Sequence, residues 1–149
     1  MVWLGSAQSL ALSDAARARI TEEPAGAAVR AHFTTPHVVR VGSHEGCGCG
    51  FSSDWLLYQG VASVSEARTL EGAMSEGERS DFEQEQASRE LLAEIVAQAS
   101  LGGPVELFAS WDGDEHGAAL ATEEHATADW IVSALEPFAE RTAYRIHAR

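Results

Sequence analysis

Leu91, Leu92, Ile95, Val96 and Ala99 recur at helical spacing and predict a helix over 81–100 that lays an apolar stripe on a sheet. Glu83, Glu85, Arg89, Glu90 and Glu94 fall largely outside the stripe and read as its solvated face. Ser80-Asp81-Phe82-Glu83 fits a capping box, in which a hydroxyl and a carboxylate satisfy the first free N–H groups, and Gly102-Gly103-Pro104 stops the helix. The period then changes from helical to alternating. Val105, Leu107, Ala109 and Trp111 point one way along a strand with one buried face.

His37-Val38-Val39-Arg40-Val41, β-branched and following Pro36, predicts a second strand. Apolar Met1 to Gly5, residues 18–22 before the Pro24-Ala25-Gly26 turn, and residues 142–147 predict three more. Residues 127–135, ended by Pro137, predict a shorter helix, and 26–33 reads as a helical turn or an extended segment. Phe51, Trp55, Leu56, Leu57 and Tyr58 form an apolar cluster that covers part of the sheet. Residues 63–79 are polar, contain Gly72 and Gly77 and lack a period, so they read as a variable loop. The economical architecture is one α+β domain over 1–149. It has a mixed or antiparallel sheet of four to five strands, one long amphipathic helix and a shorter second helix.

Charge changes this picture more than composition does. The net charge of −13 repels phosphate backbones and speaks against nucleic acid as a partner. All ten basic residues are arginine. Without lysine there is no Walker A lysine, no Schiff base and no Ser-x-x-Lys acylating pair. No stretch approaches a membrane span, and the first basic residue is Arg17, so a secretory signal is not expected; the expected location is the cytoplasm. The acidity reads either as a solvated surface or as a match to a basic protein partner, as in immunity-type proteins.

Strand 37–41 feeds Gly42-Ser43-His44-Glu45-Gly46-Cys47-Gly48-Cys49-Gly50. Alternate glycines let the backbone approach a ligand, and side chains at i and i+2 of an extended segment project to one side. Two thiolates facing one point suit zinc or another soft metal, with His44 and His116 as further ligands to Cys47 and Cys49. The spacing lacks the second Cys-x2–4-Cys knuckle of most structural zinc sites. Three other readings stand beside it: small thiols packed inward, thiol redox chemistry, and a phosphate-cradling turn that Glu45 opposes. Cysteines one residue apart are poor candidates for a structural disulfide.

Asp112-Gly113-Asp114-Glu115-His116-Gly117 is the second charged loop. With Glu123 in twelfth place it overlaps a calcium-loop template, but His116 stands at the fifth position and a strand precedes it, so a turn is the simpler reading. Asp112, Asp114 and Glu115 are nonetheless candidates for acid–base work or a divalent cation. His32, His37, His125 and His147 lie in or beside apolar segments and read as structural.

At Gly46-Cys47-Gly48-Cys49 followed by Phe51, and at Trp111-Asp112-Gly113-Asp114, the chain resembles a set of small uncharacterised bacterial proteins. The resemblance implies an order of elements: short strand, strand into the Gly-Cys-Gly-Cys loop, long helix, strand into Trp-Asp-Gly-Asp, final strand. It implies no activity. Three functions follow as expectations. One is metal binding through the cysteine loop; another is capture of a basic protein. The third is a small enzyme in which the cysteine loop and the 112–116 loop share one cleft, which requires two strand ends to lie side by side.

Overall fold

The computed structural model describes the chain except for residues 11, 22–24, 112–113, 115–116 and 148–149. In chain order the elements are β1 (Val2–Ser6), α1 (Asp14–Arg17), β2 (Ile20–Thr21), α2 (Ala27–Arg30) and β3 (His37–Val41). A 3-10 turn (Cys49–Phe51), α3 (Asp54–Tyr58), α4 (Val64–Leu70) and α5 (Glu76–Ser100) follow. The chain then runs through β4 (Val105–Ala109), β5 (Ala121–His125), α6 (Asp129–Ser133) and β6 (Thr142–Ile146). No helix among the described residues is long and apolar enough to cross a membrane.

The strands form one mixed sheet of six, ordered β2-β3-β1-β4-β6-β5, in which only β5 and β6 run parallel. The α+β class is as expected, and the strand count is one higher than the sequence suggests. The strand without a signal is β5: Ala-Thr-Glu-Glu-His has no apolar face to alternate, because it is a sheet edge and its first four residues are exposed. By contrast β1 and β4, in the interior, are buried along their whole length.

Val2, Leu4, Val41, Leu107 and Tyr144 pack on Leu92, Ile95 and Val96 of α5. Each of these helix side chains, fully buried, contributes about 1.5–3 kcal/mol relative to exposure. The opposite face carries a smaller core of Trp3, Val29, Phe33 and Phe108 beneath α2, with the His32 ring stacked on Phe108 at 3.8 Å. Glu106 is buried on this face. The backbone N–H and hydroxyl groups of both Thr34 and Thr35 donate to its carboxylate at 2.8–3.1 Å. Burial works to raise Glu106, and these four bonds prevail and hold it below the ordinary carboxylate range.

Residues 63–79, expected as a loop, are mostly helical. Ser63 caps α4 by accepting from the Glu66 N–H, and Val64 and Ala67 enter a second core with Leu56, Val61, Phe82 and Leu135. The long helix accordingly starts earlier than its apolar stripe indicates. Its capping box is Ser75 with Glu78, not Ser80 with Glu83, because the first turns are needed to carry Phe82 into that second core. Arg89, assigned to the solvated face, is fully buried.

Candidate functional site

Both neighbours of β1 run antiparallel to it, so β3 and β4 end at the same edge of the sheet: Val2 pairs with Val41 on one side and with Ala109 on the other. The cysteine loop and the Ser110–Trp111 segment therefore leave the sheet side by side, flanking Met1. The segment before β6 arrives at the same end, since Ala109 also pairs with Thr142. The two strand ends named for a shared cleft are thus neighbours, while residues 112–113 and 115–116 lie outside the described residues.

The loop after β3 is held tightly at its base. Gly42 N–H donates to Arg19 O at 2.8 Å, the Arg19 guanidinium donates to Ser43 O at 2.7 Å, and Ser43 N–H donates to Cys47 O at 2.8 Å. Gly46 sits at φ +77°, the left-handed region that favours glycine. Gly48 lies against the first residue, where an added Cβ would stand 2.9 Å from Met1 Cα. The loop brings its sulfurs together by curling, not by extension: Gly48 is near-helical at φ −84°, ψ −15°. This sets the cysteine Cα atoms 5.6 Å apart, inside the range of about 4.4–6.8 Å that a disulfide needs. Cys47 and Cys49 are joined as a disulfide. The expectation against such a bond rested on the one-residue spacing and a reducing compartment; the curl shows that the spacing is no obstacle.

Glu45 completes the group. Its Oε2 lies 3.2 Å from Cys49 Sγ and 3.6 Å from Cys47 Sγ, and the donor atoms of Glu45, Cys47 and Cys49 all fall within 4.8 Å of one another, so with the disulfide reduced to thiolates these three could hold a metal ion. His44, the expected local ligand, is outside this cluster; its backbone N–H and Nδ1 contact Ser88 Oγ on α5 at 3.0 and 3.2 Å. His116, Asp112 and Glu115 lie outside the described residues. Glu45 was legible only as a charge opposed to phosphate, yet the i, i+2, i+4 pattern Glu-x-Cys-x-Cys marks it.

Cys47, Gly48 and Cys49 form one lip of a cleft of about 280 Å³. Its walls include Phe51, Ala109, Pro137 and Phe138, and Asp54, Glu136 and Glu140 supply carboxylates. Trp111 was expected on the buried face of β4; it lies two positions past the last sheet pair, 59 % exposed, and lines this cleft. Interaction with Asp114, the described carboxylate of the acidic loop, together with burial, pushes Glu140 above its ordinary value, while Trp111 and the Arg141 charge oppose this. Arg141 donates to Ala118 O at 2.7 and 3.1 Å. Glu123, the last position of the calcium template, lies on β5 with its carboxylate 3.3 Å from His125 Nε2. A strand thus stands where a calcium loop would continue into its second helix, and the template does not apply.

Ser110 and Ser52 also line the cleft, and the side-chain oxygen of each is buried without a hydrogen-bond partner; as a residue Ser110 is 5 % exposed. Neither serine carried a sequence signal, because their roles depend on three separate segments meeting. Comparison of the chain with family models, with curated proteins and with solved structures finds no match.

Proposed function

We propose that this protein is a thiol–disulfide centre in which Cys47 and Cys49 alternate between a disulfide and a dithiol. One observation carries the reading: a disulfide closed across a single glycine, with Cys49 exposed at the lip of a cleft. Exposed disulfides are the labile and catalytic ones, and in a reducing compartment those that occur are transient. A substrate thiolate attacks Cys49 Sγ, the S–S bond breaks, and its electron pair leaves on Cys47 Sγ. A second thiolate of the substrate then attacks the substrate sulfur of the mixed disulfide and expels Cys49 as thiolate. The substrate is oxidised by two electrons, the pair is reduced, and the cysteine thiolates take up the protons released by the substrate thiols. A low-molecular-weight disulfide restores the starting state by the reverse exchange.

A second reading concerns the reduced state. Two thiolates and the Glu45 carboxylate form a soft donor set suited to zinc, leaving one tetrahedral position open, and their mutual proximity favours it. Disulfide and metal are then alternative states of one site.

Thiol titration in glutathione buffers of graded potential tests the first reading. The expected result is a reversible two-thiol transition, and trapping of Cys49 as a mixed disulfide in Cys47→Ser. Two thiols that stay free across the range, with no adduct in that variant, would end it. Cadmium titration of the reduced protein tests the second, with a sulfur-to-metal absorption band that Cys49→Ser abolishes.

A further inference from the structure

Resting on the dithiol reading, we infer that the cleft selects its substrate: a cysteine in an extended polypeptide segment, flanked by apolar and basic residues. Three observations converge. Part of the wall of the cleft is hydrocarbon, from Phe51, Ala109, Pro137 and Phe138, which fits apolar side chains beside the reacting cysteine. The charged side chains lining the cleft are all carboxylates, Asp54, Glu136 and Glu140, with no arginine among its described lining residues, and the Met1 ammonium that also lines it is bonded to Ser110 O. On a chain of net charge −13 this field draws in a cation and repels an acidic thiol such as glutathione. Exposed Trp111 offers an indole face at the rim to a guanidinium or ammonium group.

The third observation separates a polypeptide from a small cationic thiol. The side-chain oxygens of Ser52 and Ser110 are buried in this lining without a partner. Buried hydroxyls without partners are rare; a change of χ1 rotamer brings a serine oxygen to the cleft surface, where an extended peptide offers an amide N–H and a carbonyl to complete it. Exposed Cys49 stands within the same lining, so a segment seated along the apolar wall presents its own sulfur to the disulfide.

The experiment uses the oxidised full chain and three pentapeptides with a central cysteine. One has phenylalanine on both sides and arginine at both ends. The second replaces arginine by glutamate, and the third replaces phenylalanine by glycine. Mixed-disulfide formation is followed by mass spectrometry at low ionic strength, with rates expressed per thiolate so that each peptide's own acidity drops out. The arginine–phenylalanine peptide is expected to react about tenfold or more faster than the glutamate peptide, with the gap closing as salt is raised. The glycine peptide is expected to be several-fold slower. Glu136→Gln with Glu140→Gln removes most of the charge preference, and Asp54→Asn, on a different element, reduces it independently. Equal rates for the cationic and anionic peptides, or a preference untouched in both variants, would overturn the substrate assignment and leave the dithiol centre standing. No reaction with any peptide likewise overturns the substrate assignment, and the glutathione titration of the same sample then shows whether the dithiol centre stands without it.

Discussion

The 3-10 turn Cys49–Phe51 has two unlike ends. At Phe51 the chain meets Arg89, whose guanidinium is fully buried and whose donors are engaged. Nη1 bonds Phe51 O and Ser53 Oγ at 3.0 Å and reaches Leu135 O at 3.4 Å, while Nη2 and Nε bond Gln86 Oε1 at 2.9 and 3.3 Å. Ser53 in turn donates to the Glu85 carboxylate, which also accepts from Trp55. Burial lowers Arg89 to about 10, with Glu85 drawing it back up, so it remains a cation at neutral pH. At Cys49 the reverse holds: an exposed sulfur, a carboxylate facing it, and nearby serines with idle oxygens. The first end is a joint that fastens the turn and the segment before β6 to α5. The second retains unused bonding capacity. A buried charge alone therefore does not mark a working site, and spare capacity beside a cleft is the feature on which the proposed centre rests.

The largest test of that contrast is a comparison of stabilities. Arg89→Ala strands the Phe51 and Leu135 carbonyls and opens a cavity, and is expected to cost roughly 3–5 kcal/mol in urea unfolding. The double variant Cys47→Ser, Cys49→Ser removes a disulfide that closes a loop of only three residues and is expected to cost less than about 2 kcal/mol. A loss at Arg89 smaller than that at the cysteines would reverse the roles assigned to the two ends.

Glu106 gives the next effect. It is a carboxylate as fully employed as Arg89, and four donors hold it below its ordinary value. Its folded value is the depressed one, so its contribution is complete above the ordinary 4.5 and is lost as pH falls through the lower folded value. Glu106→Gln should lose about 1–3 kcal/mol at neutral pH, since an amide cannot accept all four bonds. It should also flatten the acid limb of the stability profile. An unchanged limb in that variant would mean that Glu106 does not bind its donors as described.

What the sequence revealed follows the same division. Periodicity located β4 and the core of α5, and β1, β3 and β6 were legible as short apolar or β-branched runs. It missed β5, whose edge position demands no such face, and α4, whose contribution to the second core is only Val64 and Ala67. Arg89 was misplaced because residue type outweighed position: it stands three residues before Leu92 and seven after Phe82, inside the buried face. At the cleft, Cys47 and Cys49 were legible as chemistry, and their neighbour Glu45 could have been. Glu140, Ser110 and Phe138 were not, since only the strand order β3-β1-β4-β6 brings their segments to one edge.

The smallest effect, at Glu45, sharpens the comparison most. The carboxylates of Glu85 and Glu106 are answered by donors, whereas Glu45 Oε2 faces two sulfurs. A thiolate approaching Cys49 must come within a few ångströms of that negative charge, and at about 4 Å in water such repulsion is worth roughly 1 kcal/mol. Glu45→Gln should therefore speed exchange with a neutral small thiol such as mercaptoethanol by up to about fivefold, and the gain should shrink as salt is added. The same variant should weaken cadmium binding by the reduced protein by about tenfold, because an amide oxygen is a poorer ligand than a carboxylate. Opposite signs from one substitution are what a charge shared by two states of a single site requires. Were exchange and metal binding both to slow, Glu45 would be a prop of the loop's shape; were neither to move, the sulfurs would not feel it at all.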